Sequence, residues 1–218
     1  MTGAAGGIGS AIVSKLEADG WSVYGVDVAD ADLTTREGNR AVVDAALAAQ
    51  GRLDAIVPNA GFQHVAPVRD FPEDRWDALV GVLLTSPFLL AKYAWDALAA
   101  SGDGRFLVVA SVHGLVASPF KAGYVAAKHG VLGLVKVLAL EGAEVGISAS
   151  ALCPAYVRTE LAERQLAERG ADELLAPQAV KRLLEPSEVA AAAAWLLSPD
   201  ARASTGTPLL LDLGWTSR

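Results

Sequence analysis

The chain has 218 residues, of which 52% are hydrophobic and 20% charged, and its formal net charge is −7. This length and composition predict a globular α/β domain with one large core and exclude a disordered chain. The acidic balance, without any run of Lys or Arg, argues against a nucleic-acid partner.

Apolar runs rich in β-branched residues alternate along the chain with alanine-rich stretches. The predicted strands are 21–28, 53–58, 105–111, 146–153 and 208–213. The predicted helices are 8–19, 36–49, 73–100 with a break near Pro87, 122–142, 158–170 and 186–197. This alternation, with strands that are apolar almost throughout, predicts a mostly parallel sheet covered by helices on both faces.

The sequence contains no internal repeat and no low-complexity linker, so we expect one domain over residues 1–218. A charged stretch at about 157–185 interrupts the alternation. Charged excursions of this kind lie at the surface, and one placed over a substrate crevice would act as a lid.

The first predicted helix begins inside a glycine-rich stretch, TGAAGGIG at 2–9. Such a loop lets the backbone approach a pyrophosphate, and the free N–H groups of the following helix face the negative charge. Asp27 ends the next predicted strand, eighteen positions after Gly9. A carboxylate there accepts hydrogen bonds from ribose hydroxyls and repels a 2′-phosphate, which favours NAD over NADP. The alternatives are an ordinary glycine turn at 2–9 and a turn residue at Asp27.

A glycine loop of this type normally follows a strand, whereas only Met1 precedes Thr2 here. In a doubly wound sheet that strand lies centrally, so its loss leaves two inner edges with unpaired backbone groups. We therefore expect the first strand to be absent or truncated in this sequence, or the sheet to be completed in another way.

Tyr124 and Lys128 are four residues apart in a predicted helix and therefore lie on one face. An ammonium beside a phenol favours the phenolate, so the tyrosine could exchange a proton with an alcohol or a carbonyl. Ser111 ends the predicted strand 105–111, where α/β sheets bind their ligands, and its hydroxyl could hold the substrate oxygen. The alternative is a tyrosine beside a solvated lysine.

Taken in order, TGAAGGIG at 2–9, NAG at 59–61, Ser111 and YVAAK at 124–128 resemble the short-chain dehydrogenase/reductase family over nearly the whole chain. The resemblance implies a Rossmann fold, which is a doubly wound three-layer sandwich, and hydride exchange with NAD. It also implies that Tyr124 is the general acid/base, that Lys128 binds ribose and lowers the pKa of Tyr124, and that Ser111 orients the substrate oxygen. The cofactor-binding residues that it implies are Gly3, Gly7, Ile8, Gly9, Asp27, Asp32, Leu33, Asn59, Ala60, Gly61, Tyr124, Lys128, Val157 and Thr159.

Three longer stretches, 61–76, 111–134 and 151–165, resemble the bacterial D-3-hydroxybutyrate dehydrogenases of this family. A short hydroxy acid offers one carboxylate, which a lysine can neutralise and which amide and imidazole donors can orient. The resemblance implies that the substrate-binding residues are Gln63, His113, Lys121, Tyr156 and Gln165. Taken singly, these polar residues could equally be solvated loop or surface residues, and Tyr156 stands where those enzymes usually have tryptophan.

Leu83 departs most from the family pattern, since the family usually has an asparagine there that helps to hold a water in a proton relay. Pro58, Ala155 and Leu213 also stand where the family has other residues, asparagine for the first and glycine for the other two. The segment between Asp27 and Arg36 is short, so we expect a peripheral helix and an edge strand to be lost.

The leading hypothesis is an NAD-dependent oxidoreductase for a small 3-hydroxy acid, with D-3-hydroxybutyrate as the best candidate. The alternatives are a dehydrogenase of the same family for another small polar alcohol, and a non-catalytic NAD-binding module, which Leu83 motivates. The resemblance implies a homo-oligomer, usually a tetramer, with helices near 84–100 and 122–142 at one interface.

Cys153 is the one cysteine, so no internal disulfide is expected, and no Cys/His cluster has the spacing of metal ligands. The first ten residues, MTGAAGGIGS, lack the features of a signal peptide, and no uninterrupted apolar run is long enough to span a bilayer. We therefore expect a cytoplasmic protein with neither a metal nor a membrane partner.

Overall fold

The computed structural model describes residues 1–217, and a parallel sheet of four strands lies at its centre in the order of the sequence. The strands are β1 (Ala55–Ile56), β2 (Gly104–Val109), β3 (Ile147–Pro154) and β4 (Pro208–Leu211). In the longest pairing, Gly104 lies opposite Ile147 and Val109 opposite Leu152. The predicted parallel sheet is therefore confirmed.

Eight α-helices occur within the described residues, and their bounds follow the predicted helices closely. They are α1 (Gly7–Ala18), α2 (Arg36–Gln50), α3 (Glu73–Val80), α4 (Ser86–Ala100), α5 (Ala122–Gly142), α6 (Glu160–Arg169), α7 (Ala171–Leu174) and α8 (Pro186–Leu197). Local sequence sets their ends. Thr35, for example, caps α2 by accepting from the Gly38 N–H, and Gly51 ends it in the left-handed conformation.

The helices cover both faces of the sheet, as the alternating side chains of β2 make clear. Phe106 and Val108 belong to one buried cluster with apolar residues of α2, α4 and α5. Leu107 and Val109 belong to a second cluster with residues of α1 and α8. Successive residues of a strand point to opposite faces, so one apolar run fills both cores and gives the three-layer, Rossmann-like sandwich.

The predicted strand 21–28 does not form, and the predicted strand 53–58 is reduced to two residues. Residues 1–4 lie between these two segments. The Met1 amino group donates to the Tyr24 carbonyl (2.7 Å), the Val26 N–H donates to the Met1 carbonyl (2.9 Å), and the Thr2 N–H donates to the Val57 carbonyl (3.1 Å). Beside Met1, a cavity of about 500 Å³ separates the two segments. A strand needs a paired neighbour, so only the few residues that face 1–4 are held in register.

The predicted break near Pro87 is misplaced by one turn. A π-helical turn, Gly81–Thr85, joins α3 to α4, and Pro87 lies in the first turn of α4. Proline has no N–H to donate, and it is tolerated in a first turn for that reason. The helical hydrogen bonds shift in the turn that precedes it, where the Ser86 N–H donates to the Gly81 carbonyl.

The expectation concerned uninterrupted apolar runs, and two helices of the structure come near that description. Two helical spans, Glu73–Ala100 and Ala122–Val145, meet the criterion by length and average hydropathy, although charged residues interrupt both. Their inner sides belong to the main core, where Leu90 and Ala94 of α4 meet Val131 and Val135 of α5. The packing of both helices in this fold therefore accounts for much of their apolar character.

The charged stretch 157–185 leaves the sheet after β3 and returns to nearly the same point. Its ends are paired, since the Arg158 N–H donates to the Leu184 carbonyl and the Leu184 N–H donates to the Tyr156 carbonyl, both at 2.8 Å. Between these ends, α6 and α7 enclose a small apolar cluster of their own that includes Ala162 and Leu174. We call α6 and α7 with their connections the α6–α7 excursion.

Candidate active site

A crevice of about 180 Å³ opens at the carboxyl ends of β2 and β3, where parallel sheets bind ligands. It brings together predicted residues from five separate parts of the sequence. The predicted residues that line it are Ile8, Asn59, Gly61, Gln63, Ser111, His113, Tyr124, Lys128, Tyr156, Val157, Thr159 and Gln165.

Ser111 and Tyr124 meet in this crevice from different elements. Ser111 follows the end of β2, and Tyr124 lies in the first turn of α5. Burial raises the pKa of Tyr124, and the polar side chains of Ser111 and Gln63 work against that rise. The phenol is therefore protonated at neutral pH, in the form that donates a proton.

Lys128 lies one helical turn from Tyr124, as predicted, but its effect on the pKa of Tyr124 differs from the expected one. Its Nζ donates to the Val109 carbonyl (2.8 Å) and lies 5.6 Å from the centre of the Tyr124 ring. Burial lowers the pKa of Lys128 to about 8. The expectation that this lysine lowers the pKa of Tyr124 is therefore not met in the structure, because desolvation dominates both groups.

Leu83 closes the crevice on the side of Tyr124 and makes that wall apolar. Its side chain is buried in a cluster with Leu79 and Ala127, against Tyr124. A Cβ atom at residue 61 would come within 2.7 Å of the Leu83 Cδ2, so a glycine at this position makes room for the leucine. The π-helical turn Gly81–Thr85 carries Leu83 into this place.

His113 lies at the other side of Tyr124, between two aromatic rings. Its ring meets those of Tyr124 and Trp215 edge-on, with centroids at 5.9 and 5.4 Å, and its Nε2 lies 2.8 Å from the Ser118 Oγ. Burial, with the positive charge of Lys121 nearby, lowers the pKa of His113 to about 4. The imidazole is therefore neutral near pH 7 and serves as a hydrogen-bonding group.

Lys121 stands behind the crevice wall rather than in its lining. Its Nζ is buried without a hydrogen-bond partner among the described residues and lies 5.6 Å from the centre of the Tyr156 ring. Burial and the charge of Arg169 lower the pKa of Lys121 to about 8. The Oε1 of Gln63 is likewise buried with no hydrogen-bond partner in the part of the chain that the structure describes. An unpaired buried ammonium is costly, and a bound anion would relieve that cost.

The glycine loop at 2–9 has the geometry of a phosphate-binding turn. Gly3 has φ 62°, and a Cβ atom added there would lie 2.8 Å from the Ala60 Cα, so only glycine fits. Gly6 begins α1 without a side-chain cap, which leaves the first N–H groups of the helix free to hold a pyrophosphate. Asn59 braces the loop by donating from Nδ2 to the Gly3 carbonyl (2.8 Å). The loop therefore fits a dinucleotide.

The predicted adenosine-binding residues lie outside the crevice lining. The Asp27 carboxylate accepts from the Ala5 N–H (2.9 Å) and the Val28 N–H (3.0 Å), which places it directly beside the glycine loop. Asp32 accepts from the N–H and hydroxyl of Thr34, which lowers its pKa. Leu33 accepts from the Asn39 side chain through its carbonyl. The Asp27 carboxylate is thus hydrogen-bonded to the loop, while Asp32 is engaged in its own turn.

Two residues of the site were missed by the sequence reasoning. Trp215, near the end of the chain, lines the crevice and packs against Tyr156 with centroids 5.4 Å apart. Burial raises the pKa of Tyr156, and the positive charge of Arg169, the last residue of α6, works against that rise. The need of a buried tyrosine for a polar partner was the one available signal for Arg169.

Comparison with known proteins gives one family and several relatives. A family model described as enoyl-(acyl carrier protein) reductase matches residues 24–216. D-beta-hydroxybutyrate dehydrogenase from Rhizobium meliloti (strain 1021) is 42% identical over 179 residues, which cover 77% of this chain and 69% of that protein. D-beta-hydroxybutyrate dehydrogenase from Cupriavidus necator is 36% identical over 250 residues, covering 100% of this chain and 97% of that protein. Uncharacterized oxidoreductase YxjF from Bacillus subtilis (strain 168) is 38% identical over 252 residues, with the same coverage of both proteins.

Proposed function

The chain belongs to the short-chain dehydrogenase/reductase family of oxidoreductases, and from this premise we propose that it transfers a hydride between NAD and a small 3-hydroxy acid. D-3-hydroxybutyrate and acetoacetate are the proposed substrate pair, consistent with the names of two of the relatives. The observation that carries this proposal is the unpaired, buried ammonium of Lys121 beside a crevice that also holds Ser111 and Tyr124.

In the proposed reaction, each side chain has a role that agrees with its position in the crevice. The nicotinamide of bound NAD supplies the hydride acceptor or donor. Ser111 orients the substrate oxygen, and Tyr124 exchanges a proton with that oxygen. Lys128 lies one turn from Tyr124 and is positioned to hold a ribose hydroxyl.

The size and polarity of the crevice favour a short acid. About 180 Å³ is small beside the usual volume of a drug-sized ligand site, roughly 300–1,000 Å³, which favours a small substrate. Lys121 supplies the charge that balances one carboxylate, while Gln63, His113 and Gln165 supply polar contacts around it. In this proposal the α6–α7 excursion acts as a lid over the bound acid.

The choice of NAD over NADP rests on Asp27. A carboxylate beside the glycine loop accepts hydrogen bonds from ribose hydroxyls and repels a 2′-phosphate. We also propose that the protein is a homotetramer and works in the cytoplasm.

The test is a spectrophotometric assay of NADH formation against a panel of short hydroxy acids and neutral alcohols. We expect turnover with D-3-hydroxybutyrate, a strong preference for NAD over NADP, and at least a hundredfold loss of kcat in Tyr124→Phe. The variant Tyr24→Phe, which changes a tyrosine outside the crevice, is the matched control. Turnover of neutral alcohols but not of hydroxy acids would reject the substrate and keep the reaction class.

One observation favours a second candidate, a protein that binds NAD without catalysis. Leu83 makes the wall beside Tyr124 apolar, and the single hydrogen bond that Lys128 makes among the described residues is to a backbone carbonyl. This candidate predicts NAD binding by calorimetry without turnover on any member of the panel. Steady turnover above about 1 s⁻¹, an ordinary enzymatic rate, would exclude it.

A further inference from the structure

Ser118 lies outside the crevice lining and is hydrogen-bonded to one of the residues that form it. The His113 Nε2 lies 2.8 Å from the Ser118 Oγ. Of the groups that the structure describes, this nitrogen is the one to which the Ser118 hydroxyl is hydrogen-bonded. His113 lines the crevice, whereas Ser118 does not. Ser118 can therefore influence a bound substrate through the imidazole of His113.

The other ring nitrogen of His113 faces the serine that the proposed reaction uses. Its Nδ1 lies 3.5 Å from the Ser111 Oγ, at the outer limit of a hydrogen bond, and the His113 backbone N–H donates to the same oxygen at 3.1 Å. Burial lowers the pKa of His113 to about 4, so near pH 7 only one of its ring nitrogens carries a proton. The position of that proton decides whether Ser111 faces a donor or an acceptor.

The turn that carries Ser118 is held in place by its neighbours. Pro119 follows directly and has a restricted φ. Phe120 has φ 68°, which is unfavourable for a residue with a Cβ atom, and its carbonyl accepts from the Ala66 N–H at 2.9 Å. Lys121 then forms the N-cap position of α5. Because the turn is tied to another loop and to a helix, the Ser118 hydroxyl has little freedom to lose when it bonds to His113.

We propose that Ser118 is a positioning residue for Ser111: its O–H donates to the His113 Nε2 and thereby keeps the ring proton on Nδ1, which faces the Ser111 Oγ. The Ser111 oxygen then accepts from two N–H groups of His113, and its own proton stays free for the substrate oxygen. With the ring proton on Nε2, the Nδ1 lone pair would compete for the Ser111 proton. This proposal deepens the proposed function and rests on it for its kinetic consequence.

The tautomer of His113 can be measured without turnover. The chain has three histidines, so long-range ¹H–¹⁵N spectra of protein labelled with ¹⁵N-histidine contain few signals, and His113→Gln identifies the relevant one. At pH 7 we expect the wild-type ring proton on Nδ1, and at least half of the population with the proton on Nε2 in Ser118→Ala. A wild-type proton on Nε2, or the same tautomer in both proteins, would overturn the proposal.

The kinetic consequence should appear in kcat, because Ser111 acts on the reacting oxygen. We expect Ser118→Ala to lower kcat for D-3-hydroxybutyrate about tenfold and to leave KM within a factor of two. Ser118→Thr keeps the hydroxyl and should retain at least half of the wild-type kcat. A rise in KM alone, or a kcat in Ser118→Thr as low as that in Ser118→Ala, would contradict the role of the hydroxyl.

Ser198→Ala is the matched control for both measurements. It removes a serine hydroxyl that donates to the Trp195 carbonyl at 2.7 Å, at the end of α8 and outside the crevice lining. We expect this variant to match the wild type in kcat, in KM and in the tautomer of His113. A loss of kcat in Ser198→Ala equal to that in Ser118→Ala would show that removing any bonded serine hydroxyl has this effect, and would overturn the specific role of Ser118.

A failure of the proposed function and a failure of the Ser118 assignment give different results. If the wild type oxidises no hydroxy acid, the proposed function is rejected, and the NMR spectra still decide whether Ser118 sets the tautomer of His113. If the wild type turns over D-3-hydroxybutyrate and Ser118→Ala keeps both the tautomer and kcat, the assignment of Ser118 is rejected by itself.

Discussion

Lys121 illustrates how a single residue can favour binding at the expense of stability. Within residues 1–217 its ammonium is buried without a hydrogen-bond partner, so the charge is uncompensated there. Replacing it with methionine removes the charge and keeps the length of the side chain. We expect Lys121→Met to raise the free energy of unfolding by about 1–3 kcal/mol. Urea denaturation at pH 7 measures this change.

The same substitution should weaken the use of a hydroxy acid. Without the countercharge, we expect KM for D-3-hydroxybutyrate to rise at least tenfold. Lys136→Met, which removes an exposed lysine of α5, is the control for both measurements. A Lys121→Met variant that is less stable than the wild type would mean that its ammonium has a partner in solution.

His113 gives a pH dependence whose sign follows from its burial. Its pKa is lowered from 6.5 to about 4 in the folded protein, so the unfolded chain binds more protons between these values. The free energy of unfolding therefore falls as the pH drops from 6.5 towards 4. At pH 5 the contribution is on the order of 2 kcal/mol, at 1.36 kcal/mol per pKa unit.

Denaturation of wild type and His113→Gln at pH 7 and pH 5 isolates this contribution from that of the carboxylates. Glutamine keeps a polar group near Ser118 and does not titrate. We expect the loss of stability between pH 7 and pH 5 to be smaller in His113→Gln by about 2 kcal/mol. Equal losses in the two proteins would show that this imidazole is protonated as readily in the fold as in the unfolded chain.

At single positions, the sequence was informative where chemistry depends on spacing. Tyr124, Lys128 and Ser111 lie in one crevice because a helical turn and the end of a strand follow directly from residue number. The direction of the Tyr124 pKa could not be read in that way, since burial is a property of the packed molecule. Leu213 shows both limits of the sequence. The family has glycine at this position, and the φ of 53° explains why, but that backbone angle was not visible in the sequence.

Among the elements, the loop before α2 depends on one buried amide. Asn39 is fully buried and donates from Nδ2 to the carbonyls of Leu33 (2.9 Å) and Thr35 (2.7 Å). Its Oδ1 accepts from the Ser86 hydroxyl at 2.6 Å. Asn39 therefore joins the loop and α2 to the start of α4.

We expect Asn39→Ala to lower the free energy of unfolding by about 3–5 kcal/mol, since it removes three hydrogen bonds and leaves buried groups without partners. Ser86→Ala removes one of these bonds and should cost about 1–2 kcal/mol. Chemical denaturation of both variants makes the comparison. Equal costs would contradict the role of Asn39 as the common partner.

The helices were predictable from the sequence because caps and periodicity are local. The strand 21–28 was not, because a strand forms only beside a paired neighbour, and within residues 1–217 this segment pairs only with residues 1–4. The position of the π-helical turn Gly81–Thr85 was not predicted for a related reason. A proline in the sequence indicates that a helix is distorted nearby, but the surrounding packing determines which turn is distorted.

At the scale of the whole molecule, an exposed apolar face lies along α5. Val137 and Leu140 are 48% and 78% exposed, and Gly133 has open space where its Cβ would be. These three residues lie at i, i+4 and i+7 and so share one face of the helix. Phe88 of α4 is 45% exposed. Apolar surface of this kind on a long helix is typical of an interface between copies of a chain.

If the proposed tetramer forms through this face, light scattering coupled to size exclusion should give about four times the chain mass of 22.5 kDa. Leu140→Glu places a charge in the middle of an apolar contact and should shift the protein to a dimer or a monomer. Val28→Glu, which charges a residue that is 88% exposed elsewhere, is the matched control and should keep the wild-type mass. A wild type that runs as a monomer, or a Leu140→Glu variant that remains a tetramer, would show that copies of the chain do not associate through α5.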